Sequence, residues 1–239
     1  MSRRFISRTF RWTPELAYVV GLLVTDGNLS KDGRHIIMRS SDIDLLQTFK
    51  KCLSLNNKIG QTRNNEILSY RVQFGNVQFY DWLVGIGLFP AKTYTLGEIK
   101  VPEEFFRDFL RGHLDGDGSI RVYVDQYNTY RGHNYVNNRV FTRFISASPT
   151  HIIWLKEKIK ELAGITGALF QNNIPNEKRV AIWVIQFARK ESVKLLRWIY
   201  YQKDLPCLNR KKLLADEAIQ ITADEVRKPY SRISLATES

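Results

Sequence analysis

Apolar residues recur at Leu16, Val19, Val20 and Leu23, the spacing that lines one face of an α-helix. Just ahead, Thr13-Pro14-Glu15 supplies an N-cap hydroxyl, a proline for the first helical position and an acid for the positive end of the macrodipole. The pattern stops at Asp26-Gly27, where glycine is expected to take the left-handed conformation of a helix C-cap. A second run opens at Pro102-Glu103-Glu104, carries Phe106, Phe109, Leu110 and Leu114 on one side, and stops at Asp117-Gly118. The endings correspond: Val19-Val-Gly-Leu-Leu-Val-Thr-Asp-Gly27 against Leu110-Arg-Gly-His-Leu-Asp-Gly-Asp-Gly118.

The segments downstream of the two endings also correspond, in order. Strand-like alternation at 34–40 precedes a helix from Asp42 with Leu46, Phe49 and Leu53 inward. In the second half, strand-like stretches at 120–125 and 139–146 precede a helix from Ser148 with Ile152, Leu155 and Ile159 inward. Two more strands come next in each half, the later reading Tyr70-Arg-Val-Gln-Phe74 and Trp183-Val-Ile-Gln-Phe187. Further helices at about 76–87 and 190–201 lead to Pro90-Ala-Lys92 and Leu208-Asn-Arg-Lys211. The offset between partners grows from 91 residues at the aspartates to 119 at the lysines. A duplicated unit with insertions in its second copy has this signature; a solenoid, with its fixed short period, does not. The expected fold is α+β, two α-β-β-α-β-β-α units spanning 1–100 and 101–225, with a polar tail at 226–239.

The paired helices carry small residues four apart, Gly21 and Thr25 in one, Gly112 and Gly116 in the other. Such a stripe lies on one helix face and lets two backbones approach closely. Packed in parallel along these stripes, the helices bring Asp26 and Asp117 together at their C-termini. One Asp-Gly at a helix end is ordinary turn chemistry; two closing duplicated helices suggest a shared site. Adjacent carboxylates at two negative helix ends resist joint ionisation unless a cation is bound. A hard divalent ion suits such oxygen ligands, Mg2+ above all, with the Thr25 and Gly116 backbone carbonyls as further donors. Asp115 faces Val24 in the repeat, so a symmetric catalytic role is not expected of it.

Composition narrows the partner. The 239 residues hold 36 Lys+Arg against 24 Asp+Glu, a formal charge of +12 that favours a polyanion. With 44% hydrophobic and 12% aromatic residues the chain can bury a core. Two cysteines, Cys52 and Cys207, make neither a disulfide framework nor a zinc motif. No apolar run reaches the ~20 residues of a membrane span, and no signal-peptide core is evident, although Arg3, Arg4, Arg8 and Arg11 form a basic opening. An intracellular protein of the cytoplasm or an organellar matrix, not secreted, is expected. His35, His113, His133 and His151 show no ligand spacing, and no phosphate-binding glycine loop is present.

The two nonapeptides and their matched sequels resemble the LAGLIDADG homing endonucleases in their single-chain, two-motif form. The resemblance covers about 13–215. Val24 stands where the family has its first acid in motif one, and His113 replaces a leucine in motif two; the final acids, Asp26 and Asp117, are both kept. The resemblance implies a pseudo-twofold monomer whose antiparallel sheets straddle double-stranded DNA. It implies Mg2+-dependent hydrolysis of phosphodiesters at a long, specific site, as in intron homing, with Mn2+ or Ca2+ able to occupy the same positions. Asp26 and Asp117 would bind metal, and a basic residue would stand near each scissile phosphate. By position these are Lys92 and Lys211, with Arg210 a competitor for the second. A non-cleaving DNA-binding regulator and an RNA-binding intron maturase are the alternatives on the same fold.

Strand alternation nominates a reading surface. With Tyr70, Val72 and Phe74 inward, Arg71 and Gln73 face out; with Ile120, Val122 and Val124 inward, Arg121, Tyr123 and Asp125 face out. Arg34, Arg39, Arg139, Arg143 and Gln186 are further candidates, arginine and glutamine suiting guanine and adenine edges. The polar stretch 126–139 reads as a loop able to reach along a duplex, and Asn64-Asn65 and Asn172-Asn173 as turns.

Overall fold

The computed structural model describes residues 10–64, 67–130, 133–172 and 180–227. Arg3, Arg4 and Arg8, one asparagine of each Asn-Asn turn and nearly all of the tail lie outside them. The first half runs α1 (Pro14–Thr25), β1 (Gly27–Leu29), β2 (His35–Ser40), α2 (Ile43–Cys52), β3 (Gly60–Asn64), β4 (Ile67–Gly75) and α3 (Val77–Gly85). The second runs α4 (Phe106–Gly116), β5 (Ser119–Tyr130), β6 (His133–Ser146), α5 (Pro149–Ala163), β7 (Ala168–Gln171), β8 (Trp183–Phe187) and α6 (Arg189–Ile199). Each half holds one four-stranded sheet, ordered β1-β2-β4-β3 and β5-β6-β8-β7, antiparallel throughout. Identical strand order in both halves is the duplication made structural. Among the described residues no helix is long and apolar enough to cross a membrane.

Local chemistry sets the element ends. The Thr13 hydroxyl accepts the Leu16 N–H at 3.1 Å, with Pro14 opening α1. Asn76 caps α3 in the same way through Phe79 N–H at 3.0 Å. One face of each sheet is covered by its own helices. Leu45, Leu46 and Phe49 of α2 and Phe79 and Leu83 of α3 are buried with Ile36, Met38 and Val72. Ile152, Leu155 and Ile159 of α5 and Leu195 and Leu196 of α6 are buried with Val140, Phe144 and Ile185.

Helix α1 is buried on every side from Leu16 to Val24, the pattern of a helix with no solvent face. It is flanked by α4. A Cβ on Gly21 would stand 2.1 Å from the Phe109 carbonyl oxygen, and one on Gly112 2.0 Å from that of Tyr18. Further along, a Cβ on Gly116 would meet the Thr25 hydroxyl at 1.9 Å and the Asp26 carboxylate at 2.8 Å. Contacts that advance together along both helices make the pair parallel, with Asp26 and Asp117 as their C-caps.

Four expectations need correction. Gly27 and Gly118 are not left-handed. They are glycine because the chain folds back over the last helical turn, leaving Cβ positions 2.5 Å from the Leu23 carbonyl and 2.6 Å from the Leu114 side chain. Secondly, 126–130 and 133–139 are strand rather than loop, β5 and β6 pairing on to Tyr130↔His133 past a register shift between Asp125 and Asn128. Thirdly, Val124 is 52% exposed. Strand β8 pairs with β6 only at 142–146, so the hairpin at Val124 has outrun the core beneath it. Lastly, a helix absent from the expected order, α7 (Asn209–Arg227), comes after α6 and packs against α6 and β5.

Gly112→Ala is expected to cost about 3 kcal/mol or more, because backbone on both sides cannot yield to a methyl group. Gly85→Ala, with open space around its Cβ position, should stay within about 1 kcal/mol of the parent. Urea denaturation of the two variants measures the contrast.

Candidate active site

Parallel packing delivers two carboxylates to one place. Asp26 has its acidity suppressed, to a pKa of about 7, first by burial and then by the Asp117 charge; burial also raises Asp117. Two lysines lean the other way without cancelling the effect. Lys92 begins a short 3-10 turn, Lys92–Tyr94, after Ala91, whose φ of 56° is left-handed. Its ammonium donates to the Gly27 carbonyl. The Lys211 ammonium points at four carbonyls closing α4: Leu114 at 2.7 Å, Asp115 at 2.8 Å, Gly116 at 3.1 Å and Gly118 at 2.7 Å. With three protons for four oxygens, it is a cationic cap on that helix. Burial pulls both lysines down to about 8 against the opposing pull of the carboxylates, which leaves them charged at neutral pH. Asp26, Asp117, Lys92 and Lys211, named from the sequence, are thus brought together. Arg210 is not: its guanidinium grips Asp42 at the start of α2, Nη2–Oδ2 2.8 Å and Nε–Oδ1 3.1 Å.

Oxygen donors fit a hard cation here. Two carboxylates that resist joint ionisation, beside helix-end carbonyls, are what a divalent ion would neutralise. The Gly116 carbonyl is shared with Lys211. Among the described residues no group of three or more His, Cys, Asp or Glu forms a closed metal cage, so phosphate or water would complete any coordination.

Asp115, expected from the repeat to support its surroundings rather than to catalyse, does so, and other polar groups had no signal in the sequence. Buried Asp115 accepts from the Tyr18 hydroxyl of α1 at 2.8 Å and the Leu208 amide at 2.6 Å. Fully buried Arg111 pairs with Asp108 at 2.8 Å and donates to the carbonyls of Pro206 at 2.9 Å and Ile199 at 3.0 Å. Both tie α4 to the segment that carries Lys211. His113 and His151, 38 residues apart, meet Nε2 to Nε2 at 3.2 Å. They border a cavity of about 70 Å3 with Thr25, Lys92 and Asp117. Periodicity marks positions as inward; it does not say which inward polar groups will meet.

The outer sheet faces hold the predicted readers. In the first sheet Arg39 and Arg71 are direct cross-strand partners, a like-charge juxtaposition that costs energy alone. Neither makes an ion pair among the described residues. Exposed Gln73 lies on the same face, and exposed Arg34 precedes β2. In the second sheet Arg121 and Tyr123 are exposed, Tyr123 lying over Phe141 at 6.2 Å between centroids. Arg143 donates to Gln186 at 2.6 Å and Arg139 to Asp125 at 3.0 Å. Those two arginines are steered by neighbours rather than free.

Two such halves, joined along parallel helices that end in acids, make a fold shared with solved LAGLIDADG homing endonucleases. The chain superposes on I-LtrWI bound to target DNA with a TM-score of 0.56 at 13% identity, over 90% of this chain and 91% of that one. On the meganuclease I-SmaMI, bound to uncleaveable DNA, the TM-score is 0.59 at 11% identity over 90% and 92%. It also superposes on full-length DUF199/WhiA from Thermatoga maritima, with a TM-score of 0.54 at 13% identity over 95% of this chain and 66% of that one. No family profile and no curated protein matches by sequence. Identities this low establish the fold.

The histidines give the fold a pH dependence. Burial holds His151 neutral in the fold down to about pH 4, whereas in the unfolded chain it gains a proton near pH ~6.5. The unfolded state binds more protons in between. The histidine's contribution is therefore complete above pH ~6.5 and lost as pH falls towards about 4, by about 3 kcal/mol. Chemical denaturation of wild type and His151→Leu should show their stability difference moving against the wild type by that order between pH 7 and pH 4.

Proposed function

We propose that the chain is a site-specific endonuclease that hydrolyses both strands of a long double-stranded DNA target with Mg2+. The observation that carries this reading is the convergence of Asp26 and Asp117 at the ends of two parallel helices, with Lys92 and Lys211 buried against the same ends. A divalent cation, when bound there, supplies an acidified water and charge neutralisation at the leaving oxygen.

The chain's own groups do the rest. Asp26 and Asp117 hold the cation and fix its place relative to both halves. Lys92 and Lys211 set positive charge where a phosphodiester gathers negative charge on attack. The outer-face residues Arg34, Arg39, Arg71, Gln73, Arg121, Tyr123, Arg139, Arg143 and Gln186 orient the duplex. The unneutralised Arg39–Arg71 pair is the clearest sign that this face awaits a polyanion. Since one chain carries both acids, a monomer is sufficient.

Purified protein incubated with Mg2+ and a library of randomised duplexes should yield cut ends sharing one sequence. Asp26→Asn and Asp117→Asn should each lower cleavage of that site by at least ~100-fold while leaving binding within a few-fold. Binding measured across salt should fall linearly on logarithmic axes, as release of counterions requires. Binding without cleavage in Mg2+ and in Mn2+ would replace the nuclease reading with that of a DNA-binding regulator.

A further inference from the structure

The ammoniums of Lys92 and Lys211 each bind carbonyls at the end of their own half's motif helix, but the segments that carry them are fastened differently. Lys211 is placed by buried contacts of its own half: its ammonium caps α4, and Arg111 and Asp115 of α4 fasten the preceding segment at Ile199, Pro206 and Leu208, while the other half reaches only the neighbouring Arg210, through an exposed ion pair with Asp42. Lys92 belongs to the first half, yet its strap is fastened by the second. The Lys92 carbonyl accepts from Thr95 N–H at 3.1 Å and Leu96 N–H at 2.8 Å, closing 92–96 into one tight turn. The next two carbonyls are gripped from the start of α5. Ser148 Oγ donates to Leu96 O at 2.6 Å, and His151 Nδ1 to Gly97 O at 2.7 Å.

These contacts determine the tautomers. A carbonyl only accepts, so His151 carries its proton on Nδ1 and a lone pair on Nε2. The neighbouring His113 Nε2, 3.2 Å away, must then be the donor. His113 stands on α4, four residues before Asp117. An unbroken line therefore runs from the Asp117 helix through His113, His151 and Gly97 to Lys92. All of it is buried or half-buried, with His113 and His151 each 1% exposed. The first half has no histidine pair there, because the repeat sets Leu22 opposite His113 and Leu45 opposite His151; from the start of α2 its Asp42 reaches only Arg210, beside Lys211.

We infer that His113 and His151 are positioning residues that hold Lys92 of the first half in register with Asp117 of the second, leaving Lys211 independent of them. The inference rests on the nuclease reading for its catalytic consequence but not for its structural one. Two measurements separate the failures.

The first needs neither DNA nor metal. An amine-acetylating ester, with site-resolved mass spectrometry, reports how well each lysine is held. His151→Leu fills the buried space with an apolar group and should raise the acetylation rate of Lys92 several-fold while leaving Lys211 unchanged. His151→Asn, whose amide nitrogen can stand in for Nδ1, should restore most of the protection. Equal responses at both lysines, or none at Lys92, overturn the positioning role, and a melting curve on each variant shows that it is folded.

The second uses a supercoiled plasmid carrying the selected site. His151→Leu should slow the cutting of one strand by about tenfold or more, as misplacement of a catalytic group does, and nicked circle should accumulate. Lys92→Ala should slow the same strand, with little added by combining the two. Nicks shared evenly between strands overturn the inference. If wild type cuts no DNA at all, the nuclease reading fails, and the acetylation result still decides the positioning of Lys92.

Discussion

The rest of the molecule depends on how closely two helix backbones can approach. Where Gly21 faces Phe109 and Gly112 faces Tyr18, the space for a Cβ is already taken by carbonyl oxygen. Glycine at those two positions converts a pair of amphipathic units into one body with a shared centre. Looser packing would separate the carboxylates, and the mutual repulsion that makes the site cation-hungry would fade with distance. The same closeness lets Tyr18 of α1 reach Asp115 of α4, so the joint is sealed by a buried hydrogen bond as well as by packing.

Bringing two acids to two helix ends is electrostatically unfavourable, and the structure manages the cost without removing it. Each lysine neutralises a helix end and stands near a carboxylate, yet Asp26 still titrates near pH 7. Burial, more than the Asp117 charge, keeps it there, and a cation bound between the acids would favour their ionised form. The outer sheet faces show the reverse imbalance, with Arg39 set against Arg71. Buried carboxylates between cationic faces are the arrangement that a divalent cation and a duplex phosphodiester would jointly satisfy.

Symmetry of fold does not extend to symmetry of support. Both sheets have one strand order, and both lysines come after corresponding helices. Nevertheless, although each lysine binds the end of its own motif helix, the strap that carries Lys92 is fastened by buried groups of the other half, whereas the segment that carries Lys211 is fastened by its own. The second copy also adds α7 and a long β5–β6 hairpin. The two halves share a frame and differ in the contacts that support it.

Periodicity, the Asp-Gly endings and the small-residue stripes were legible in the sequence, because they are consequences of local geometry: 3.6 residues per turn, alternation in strands, and the bulk of a side chain. They were enough to predict two repeats, parallel helices and the meeting of Asp26 with Asp117. The family resemblance, rather than these patterns, nominated Lys92 and Lys211, and left Arg210 in contention until the fold turned it onto Asp42. Gly27 and Gly118 depart from the left-handed expectation for a related reason: a glycine at a helix end has two explanations, backbone conformation and crowding, and only the path of the chain distinguishes them. The His113–His151 contact, the buried Arg111 and the emergence of Val124 beyond the core arise from residues far apart in sequence. Sequence alone determined which faces turn inward. Tertiary structure decided which inward polar groups meet, because hydrogen bonds and ion pairs depend on distances of a few ångströms that no local pattern encodes.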